Sequence, residues 1–295
     1  MITFATDEDL KGIKELWKEC FGDSDEYIDF FFSEHCLEKE TLIYKEDSKV
    51  VGMLNLLPAT MRTADGYIPV RYVYAVGTLV NYRGRGIAGK LLRYANQELI
   101  RQGIATILVP ANEQLFQYYQ KQGYQTLFYM KEEQKEFDDL SNMVTASSFK
   151  ENEINEEVII GDITPFEYKK LRDEFFEGLG YINWGISEIE YAIKENEFLG
   201  GKTKKIIIGE DNYFIMYYIH EGMIVVKESS LSASKIPYVF QALADDFKCN
   251  QIKFRSSKNH LKDGTLRPFG MFYGNIDHSK LKLGAGEAYL NLVLD

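Results

Sequence analysis

The sequence contains few residues of the kinds that bind metals or form disulfide bonds. Three cysteines at wide spacing predict neither a disulfide framework nor a C-x-x-C site, and they are Cys20, Cys36 and Cys249. Four histidines lie far apart without the H-E-x-x-H spacing of a zinc site, and they are His35, His220, His260 and His278. We therefore expect reduced thiols and no metal site.

Positive charge and long apolar runs are also scarce. The formal net charge of −11 leaves no basic patch of the kind that binds a phosphate backbone, which predicts no nucleic-acid partner. An acidic surface favours a cationic small molecule or a basic peptide as partner, or serves solubility alone. The absence of a signal-peptide pattern and of any run of about 18 apolar residues predicts no membrane partner and a cytoplasmic location.

What the sequence does contain is typical of a globular protein with many strands. An apolar fraction of 45% and a charged fraction of 27% are ordinary values for a folded domain. The 20 tyrosines and 19 phenylalanines favour strands. A length of 295 residues suits two domains, each large enough to bury a core.

The first third of the chain alternates helical and strand patterns. After a short strand at residues 2–4, a capping box formed by Thr6 and Asp9 predicts the start of a helix. A second helix follows over residues 24–35. Consecutive strand patterns over residues 41–80 then predict an antiparallel meander.

The next segment predicts a helix between two strands. Apolar residues between 88 and 99 recur at helical spacing, and Gly103 ends that helix. A buried strand over residues 105–111, a short helix over 113–121 and a strand over 124–130 follow. Together these patterns predict an α+β fold with a mixed sheet.

A domain boundary is predicted where the apolar pattern stops. Residues 131–157 are polar, so we predict one domain over 1–135, a linker over 136–155 and a second domain over 156–295. The order of helices, meander, helix and strands recurs in the second domain, which suggests duplication of one unit. The second copy has "SLSASKIPY" where the first has "NYRGRGIAG", so it lacks the glycines of a phosphate-binding loop.

The glycines Gly84, Gly86 and Gly89 form the string G-x-G-x-x-G, which is also the dinucleotide-binding fingerprint. In that motif the strand enters the first glycine directly, and an acidic residue follows about 20 positions later. Here residues 81–83 separate the strand from Gly84, and the strand after the helix ends at residues 109–111 with no carboxylate until Glu113. Both departures argue against a nicotinamide-dependent oxidoreductase, which stays an alternative that binding of NADH would support.

Whatever the family, this loop predicts a pyrophosphate site. Glycines let the backbone approach a phosphate closely, because they carry no Cβ atom. The start of the following helix adds free N–H donors and the positive end of a helix dipole.

Two segments resemble signatures of the GNAT superfamily of N-acetyltransferases. "RGRGIA", residues 83–88, resembles the first signature, [Q/R]-x-x-G-x-[G/A], and follows a strand. "NEQLFQYYQKQGY" resembles the second, which is carried here by Asn112, Tyr119, Gly123 and Tyr124. The whole chain resembles acetyltransferases of the enhanced-intracellular-survival type, in which a degenerate GNAT copy follows a functional one, but without their third domain.

This resemblance implies acetyl-coenzyme A (acetyl-CoA) as the co-substrate. Backbone groups of Val76 and Thr78 would hold its pantetheine arm. Arg83 and Arg85 would contact its phosphates or remain surface charges. Asn112 would contact the coenzyme at the start of the next helix. Backbone N–H groups would hold the pyrophosphate at Gly84, Arg85, Gly86, Ile87, Ala88 and Gly89.

Acetyl transfer to an amine also needs proton transfers. A lysine-like amine is only about 0.1% neutral at pH 7, so a base must take its proton. The resemblance implies that Tyr119 protonates the departing thiolate and that a backbone N–H near Thr78 stabilises the oxyanion. The base is Asp295, Glu113 or a water held by backbone carbonyls. Tyr118 points about 100° away from Tyr119 on the helix.

The sequence thus predicts a cytoplasmic N-acetyltransferase. It would transfer acetyl from acetyl-CoA, by direct attack in a ternary complex, to a primary amine of a small cationic molecule or peptide. The alternative is a non-catalytic sensor or scaffold that binds acyl-CoA with the same fold. The acceptor, the acyl length, the oligomeric state and the role of the second domain stay open.

Overall fold

The computed structural model describes residues 1–136, 157–178, 180–232, 234–247, 249, 251–257, 264–275 and 288–292. The chain forms two compact units, each assembled from segments that are not contiguous in sequence. Unit 1 comprises Met1–Met61, Asp65–Thr126 and Gly270–Leu281. Unit 2 comprises Arg62–Ala64, Leu127–Phe269 and Lys282–Asp295.

Unit 1 is a mixed sheet with helices in the connections. Its strands lie in the order β1-β2-β3-β4-β5, in which β1, β2 and β3 pair antiparallel and β4 and β5 pair in parallel through helix α4. The strands are β1 (Ile2–Phe4), β2 (Thr41–Glu46), β3 (Lys49–Thr63), β4 (Gly66–Thr78) and β5 (Ala105–Leu108). The helices are α1 (Leu10–Phe21), α2 (Asp25–Glu34), α3 (Leu37–Glu40), α4 (Ile87–Arg101) and α5 (Glu113–Lys121).

The helix starts predicted from the sequence are confirmed by their caps. Thr6 N–H donates to the Asp9 carboxylate at 3.1 Å, which forms part of the capping box before α1. The Ser24 hydroxyl accepts from Tyr27 N–H at 3.2 Å and caps α2. Gly103, at φ +73°, follows the end of α4.

Unit 2 repeats the topology of unit 1. Its strand order β6-β12-β11-β10-β9-β7 contains the series β7-β9-β10-β11-β12, which corresponds to β1 through β5. Strands β11 and β12 pair in parallel through α8, as β4 and β5 do through α4. The predicted α+β fold and its duplication are therefore confirmed.

The remaining strands are β6 (Gln125–Glu136), β7 (Val158–Asp162), β8 (Gly180–Asn183), β9 (Lys202–Ile208), β10 (Asp211–His220), β11 (Met223–Ser229), β12 (Gln251–Ser256), β13 (Thr265–Tyr273) and β14 (Ala288–Tyr289). The helices are α6 (Pro165–Phe175), α7 (Ile186–Phe198) and α8 (Ile236–Phe247).

Strand β6 extends further than its sequence predicts. Residues 131–136 were expected to begin a polar boundary segment, but they pair antiparallel with β12 in unit 2. Their charges are matched across the strands, since Glu132 lies 2.8 Å from Arg267 and 3.2 Å from Arg255. The last residues of β13, from Gly270, belong to unit 1, where Met271 pairs with Leu108 of β5. The functional division into domains over 1–135 and 156–295 stays a prediction.

Candidate functional site

The end of strand β4 differs from regular strand structure. Its pairing with β5 joins Val70–Tyr72 to Ala105–Ile107, whereas β4 itself continues to Thr78. Residues 73–78 therefore lie beyond that pairing. Ala75 adopts φ +49°, a left-handed conformation that costs a residue with a side chain about 1–3 kcal/mol. The left-handed residue Ala75 lies directly before Val76, one of the two predicted pantetheine-binding positions.

Thr78 ends β4 and is held by two side chains. Its carbonyl oxygen accepts from Cys20 Sγ at 3.4 Å and from Arg83 Nε at 3.1 Å. Its own Oγ1 is buried and has no hydrogen-bond partner within the described part of the chain. Burial raises the pKa of the Cys20 thiol, and a hydrogen bond with Arg83 acts in the opposite direction. No sequence pattern indicates this role of Cys20.

The connection from β4 to α4 turns on two glycines. Gly84 lies at φ +77° and Gly86 at φ +71°, a region that other residues occupy only with strain. A Cβ atom at either position would meet nothing within 4 Å, so the space beside the backbone is open. Gly86 is also the N-cap residue of α4.

This connection presents a continuous row of unpaired donors. None of the six backbone N–H groups from residues 84–89 has a hydrogen-bond partner among the residues that the structure describes. Lys90 N–H is the first to bond back, to the Gly86 carbonyl at 3.0 Å. The positive end of the 15-residue helix α4 lies at the same place. Six free donors and a helix dipole make a site for an anion.

Two further glycines allow neighbouring elements to approach the site. A Cβ atom on Gly52 of β3 would lie 2.6 Å from Ile87 Cγ2 at the start of α4. A Cβ atom on Gly77 of β4 would lie 2.9 Å from Leu16 Cδ2 and 3.2 Å from Cys20 Sγ. The sequence signal for both is an isolated glycine in a strand pattern, which marks a close approach.

The two arginines of the loop already contact protein groups. Arg85 Nη2 lies 2.7 and 2.9 Å from the carboxylate oxygens of Glu46. Its guanidinium also lies 5.3 Å from the centre of the Tyr82 ring. Arg83 bonds to the Thr78 carbonyl, as described above. Both side chains are therefore engaged by neighbours within unit 1.

Tyr119 lies in α5 and is 7% exposed. Its ring packs edge-on against Tyr118, at a centroid distance of 5.3 Å, and against Tyr124, at 5.8 Å. Burial raises the pKa of the Tyr119 phenol, so it stays protonated at neutral pH. Tyr124 is fixed in turn by hydrogen bonds to Thr106 at 3.0 Å and Asn96 at 3.1 Å. This network holds the surroundings of Tyr119 in place.

The remaining predicted residues take different positions. Asn112 is the N-cap of α5, where its Oδ1 accepts from Leu115 N–H at 3.0 Å. Glu113 is exposed in the first turn of α5. Asp295 lies outside the described residues. The structure thus brings Thr78, Arg83 and residues 84–89 together in one connection.

An aromatic cluster lies beside β4 in unit 1. Trp17 and Phe31 have ring centroids 4.7 Å apart, and Tyr74 lies 5.8 Å from Trp17 and 5.7 Å from Phe31. Tyr72 stacks on Tyr74 at 6.0 Å, and the hydroxyls of Tyr27 and Tyr74 are 3.4 Å apart. Tyr74 is two residues before Val76. The other rings of the cluster are buried and pack the core, so only the partly exposed Tyr74 could present an aromatic face to an apolar or cationic group.

The corresponding connection of unit 2 has a different hydrogen-bond pattern. Lys235 and Ile236 N–H donate to the Ser232 carbonyl at 3.0 and 3.2 Å. Pro237 follows and has no N–H group to donate. Three of the positions that correspond to the free donors of unit 1 are thus paired or lack an N–H group in unit 2.

A buried carboxylate, that of Glu228, lies near the end of β11, the strand of unit 2 that corresponds to β4. The Glu228 carboxylate accepts from Arg172 Nε and from the Tyr168 hydroxyl, each at 2.9 Å. Arg172 and Glu228 are 1% or less exposed. This part of unit 2 is filled by its own side chains.

The described residues contain neither a membrane-spanning helix nor a cluster of metal ligands. No helix in them is both long and apolar enough to cross a membrane. No group of three or more histidine, cysteine or acidic side chains in them is placed to hold a metal ion.

Comparisons with known proteins point to one family. A family model described as an acetyltransferase (GNAT) domain matches residues 1–127. No curated protein sequence matches the chain.

Several solved structures share the fold. A GCN5-related N-acetyltransferase from Anabaena variabilis has 17% identity and a TM-score of 0.70, over 92% of this chain and 72% of that one. A probable N-acyltransferase from Enterococcus faecalis has 13% identity and the same TM-score of 0.70, over 92% and 72%. Eis1 from Mycobacterium abscessus has 11% identity and a TM-score of 0.63, over 92% and 73%. The TM-scores show a common fold, and at identities this low they show the fold alone.

Proposed function

We propose that this protein, whose residues 1–127 match a GNAT acetyltransferase domain, is a tandem GNAT protein that transfers acetyl from acetyl-CoA to a primary amine. The match of residues 1–127 to this domain supports acyl transfer in the general sense. The acetyl donor, the amine acceptor and the residue roles below are our proposal. The cytoplasmic location stays a prediction.

The observation that carries the proposal is the row of six unpaired N–H groups from residues 84–89. Residues 84–86 are exposed and therefore accessible to a ligand, whereas residues 87–89 are buried or half-buried, where backbone donors are normally paired. Gly84 and Gly86 leave open space beside this row, so a pyrophosphate could approach the backbone directly. These residues therefore fit the diphosphate of coenzyme A.

The end of β4 supports the placement of the rest of the coenzyme. Residues 73–78 extend beyond the pairing with β5, so an amide-rich pantetheine chain could lie beside that edge. Val76 and Thr78 would supply the backbone groups for it. The thioester would then lie near the end of β4, where a backbone N–H near Thr78 would stabilise the oxyanion.

The proposed chemistry is a direct displacement. The neutral amine nitrogen attacks the thioester carbon, a C–N bond forms, and the C–S bond breaks after collapse of the tetrahedral intermediate. Tyr119 gives its phenolic proton to the leaving thiolate and is reprotonated from solvent. The proton of the amine goes to Asp295, to Glu113 or to a water held by backbone carbonyls.

A cationic acceptor is supported by charge and by the aromatic cluster. The net charge of −11 attracts cations to the protein surface. Tyr74 of β4 is the partly exposed ring of this cluster that an amine-bearing substrate could contact, whereas Trp17 and Tyr72 are buried. Aromatic faces stabilise ammonium groups as well as alkyl chains.

An acetyl-transfer assay tests this function. The full chain is mixed with acetyl-CoA and a panel of diamines, lysine-containing peptides and a neutral amine of similar size, and release of the free thiol is followed. We expect amine-dependent thiol release that is faster with the cationic acceptors. Binding of acetyl-CoA without release across the panel would identify the protein as a non-catalytic acyl-CoA sensor instead. Binding of NADH in place of acetyl-CoA would support an oxidoreductase.

A further inference from the structure

Three polar side chains surround Gly89 at the junction of α4 and α5. Measured from the position that a Cβ atom would take on Gly89, Arg93 Nη1 lies at 3.2 Å, Gln122 Oε1 at 3.2 Å and Tyr118 Oη at 3.5 Å. Arg93 Nη1 donates to Gln122 Oε1 at 3.1 Å. We call Arg93, Tyr118 and Gln122 the Arg93 cluster. The sequence motif gave no indication of it, since only Gly89 belongs to that motif.

The Arg93 cluster lies beside the row of free donors. Helical side chains lean toward the N-terminus of their helix, so the Arg93 guanidinium points back toward the first turn of α4. Its 3.2 Å distance from the Gly89 Cβ position places it there, and Gly89 supplies the last of the six free N–H groups. A cation thus lies next to the predicted pyrophosphate site.

Arg93 differs from the other two arginines of this region in its partners. The Glu46 carboxylate balances the charge of Arg85, and Arg83 bonds to the Thr78 carbonyl. Among the described residues, no carboxylate lies within salt-bridge distance of Arg93, whose side-chain partner is the neutral amide of Gln122. A guanidinium carries five N–H donors, so most of those on Arg93 are available to a ligand.

The environment favours an anion with more than one negative charge. Arg93 is exposed and Tyr118 is partly buried, so an incoming group could contact both. Burial raises the pKa of the Tyr118 phenol, which keeps its hydroxyl protonated as a donor. A phosphate monoester carries a charge of about −1.5 to −2 at neutral pH and accepts several hydrogen bonds.

We propose that Arg93 and Tyr118 bind the 3′-phosphate of coenzyme A and thereby distinguish it from coenzymes that lack this group. The inference rests on the proposed function, in which residues 84–89 hold the pyrophosphate. The ribose joins the 3′-phosphate to that pyrophosphate, so the second anionic group lies close to the first. Gln122 positions the guanidinium through its hydrogen bond, and Gly89 leaves the room that the cluster requires.

Calorimetric titrations of the full chain with acetyl-CoA and with 3′-dephospho-acetyl-CoA test the proposal. The variants are Arg93→Gln and the control Arg101→Gln, which removes the same charge from the last turn of α4, where Arg101 pairs with Glu98. We expect Arg93→Gln to weaken binding of acetyl-CoA by about tenfold or more, because a charge-assisted pair is lost. Its affinity for the dephospho compound should stay within about twofold of wild type, and Arg101→Gln should change neither affinity.

The remaining outcomes separate failure of this inference from failure of the proposed function. Equal losses for both ligands in Arg93→Gln, or no loss for either, would overturn the assignment of the 3′-phosphate. Equal affinity of the wild-type protein for the two ligands would overturn it as well. If wild type binds neither ligand, the proposed function itself is wrong. Thermal unfolding of each variant shows whether a loss of affinity is a loss of fold.

Discussion

At the residue scale, the proposed chemistry depends most on the hydroxyl of Tyr119. Burial raises the pKa of this phenol, so it remains a proton donor throughout the neutral range. We expect Tyr119→Phe to lower kcat by about 100-fold or more, as loss of a general acid does. The dissociation constant of acetyl-CoA should not change, because the lost hydroxyl acts on the leaving sulfur.

The matched control is Tyr94→Phe, which removes the hydroxyl of an exposed tyrosine on α4. Steady-state rates and calorimetry on both variants separate turnover from binding. A Tyr119→Phe protein with wild-type turnover would remove Tyr119 from the mechanism.

At the element scale, the start of α4 depends on a glycine in a neighbouring strand. In Gly52→Ala the new methyl group would lie 2.6 Å from Ile87 Cγ2 and 3.4 Å from the Gly77 carbonyl oxygen. Relief of this contact requires the buried Ile87 side chain to rotate within the core or the start of α4 to move, and a shift of α4 would displace the free donors. We expect a loss of about 1–3 kcal/mol in the free energy of unfolding, together with weaker binding of acetyl-CoA.

Urea unfolding and calorimetry check this expectation. The control is Gly161→Ala in β7, where a Cβ atom would meet nothing within 4 Å and the free energy of unfolding should stay the same or rise slightly. If Gly52→Ala is as stable as Gly161→Ala, close packing does not position α4.

The elements also show how far sequence patterns predict this fold. Helix α5 was predicted over 113–121 and lies at Glu113–Lys121, because Asn112 caps it and its apolar spacing is regular. The extension of β6 through residues 131–136 was missed, since the arginine partners of Glu132 lie on β12 and β13. Local patterns report caps and periodicity, whereas pairing between distant segments leaves little local signal.

The same limit applies to the candidate site. The glycines of residues 84–89 were visible because the motif is contiguous in sequence. The left-handed Ala75 and the contact of Cys20 with Thr78 were not visible, because each arises from packing between separate elements. Arg93 was missed for the same reason, since Tyr118 and Gln122 reach it from another helix.

At the scale of the whole molecule, the two copies should differ in binding. Unit 1 leaves six N–H groups free, whereas the corresponding connection of unit 2 pairs Lys235 and Ile236 internally and contains Pro237. We expect one molecule of acetyl-CoA bound per chain, measured as the stoichiometry of a calorimetric titration. Two equivalents per chain would show that the second copy has kept a coenzyme site.

Stability at high pH is a second property of the whole molecule. Burial raises the pKa of Tyr124 to about 12 and also raises that of Tyr119, whereas both titrate near 10 in the unfolded chain. Above pH 10 the unfolded state therefore loses protons that the folded state keeps. The stabilisation is fully present below about pH 10 and is lost as the pH rises toward 12.

Urea unfolding at a series of pH values measures this effect. The free energy of unfolding should decline above about pH 10, and tyrosinate absorbance should rise together with unfolding. A free energy that stays constant through this range would mean that these phenols titrate normally in the folded protein.

The central claim is that residues 84–89 bind the pyrophosphate of acetyl-CoA. It is tested most directly by substituting the two glycines that flank α4, one before its start and one after its end. Gly86→Glu and Gly103→Glu add the same charge at similar backbone angles, φ +71° and φ +73°, and at both positions a Cβ atom meets open space. Each should cost about 1–2 kcal/mol of stability through the left-handed conformation. Calorimetry should show that Gly86→Glu no longer binds acetyl-CoA, while Gly103→Glu binds it like wild type. Equal binding by both variants, or no binding by the wild-type protein, would contradict the account.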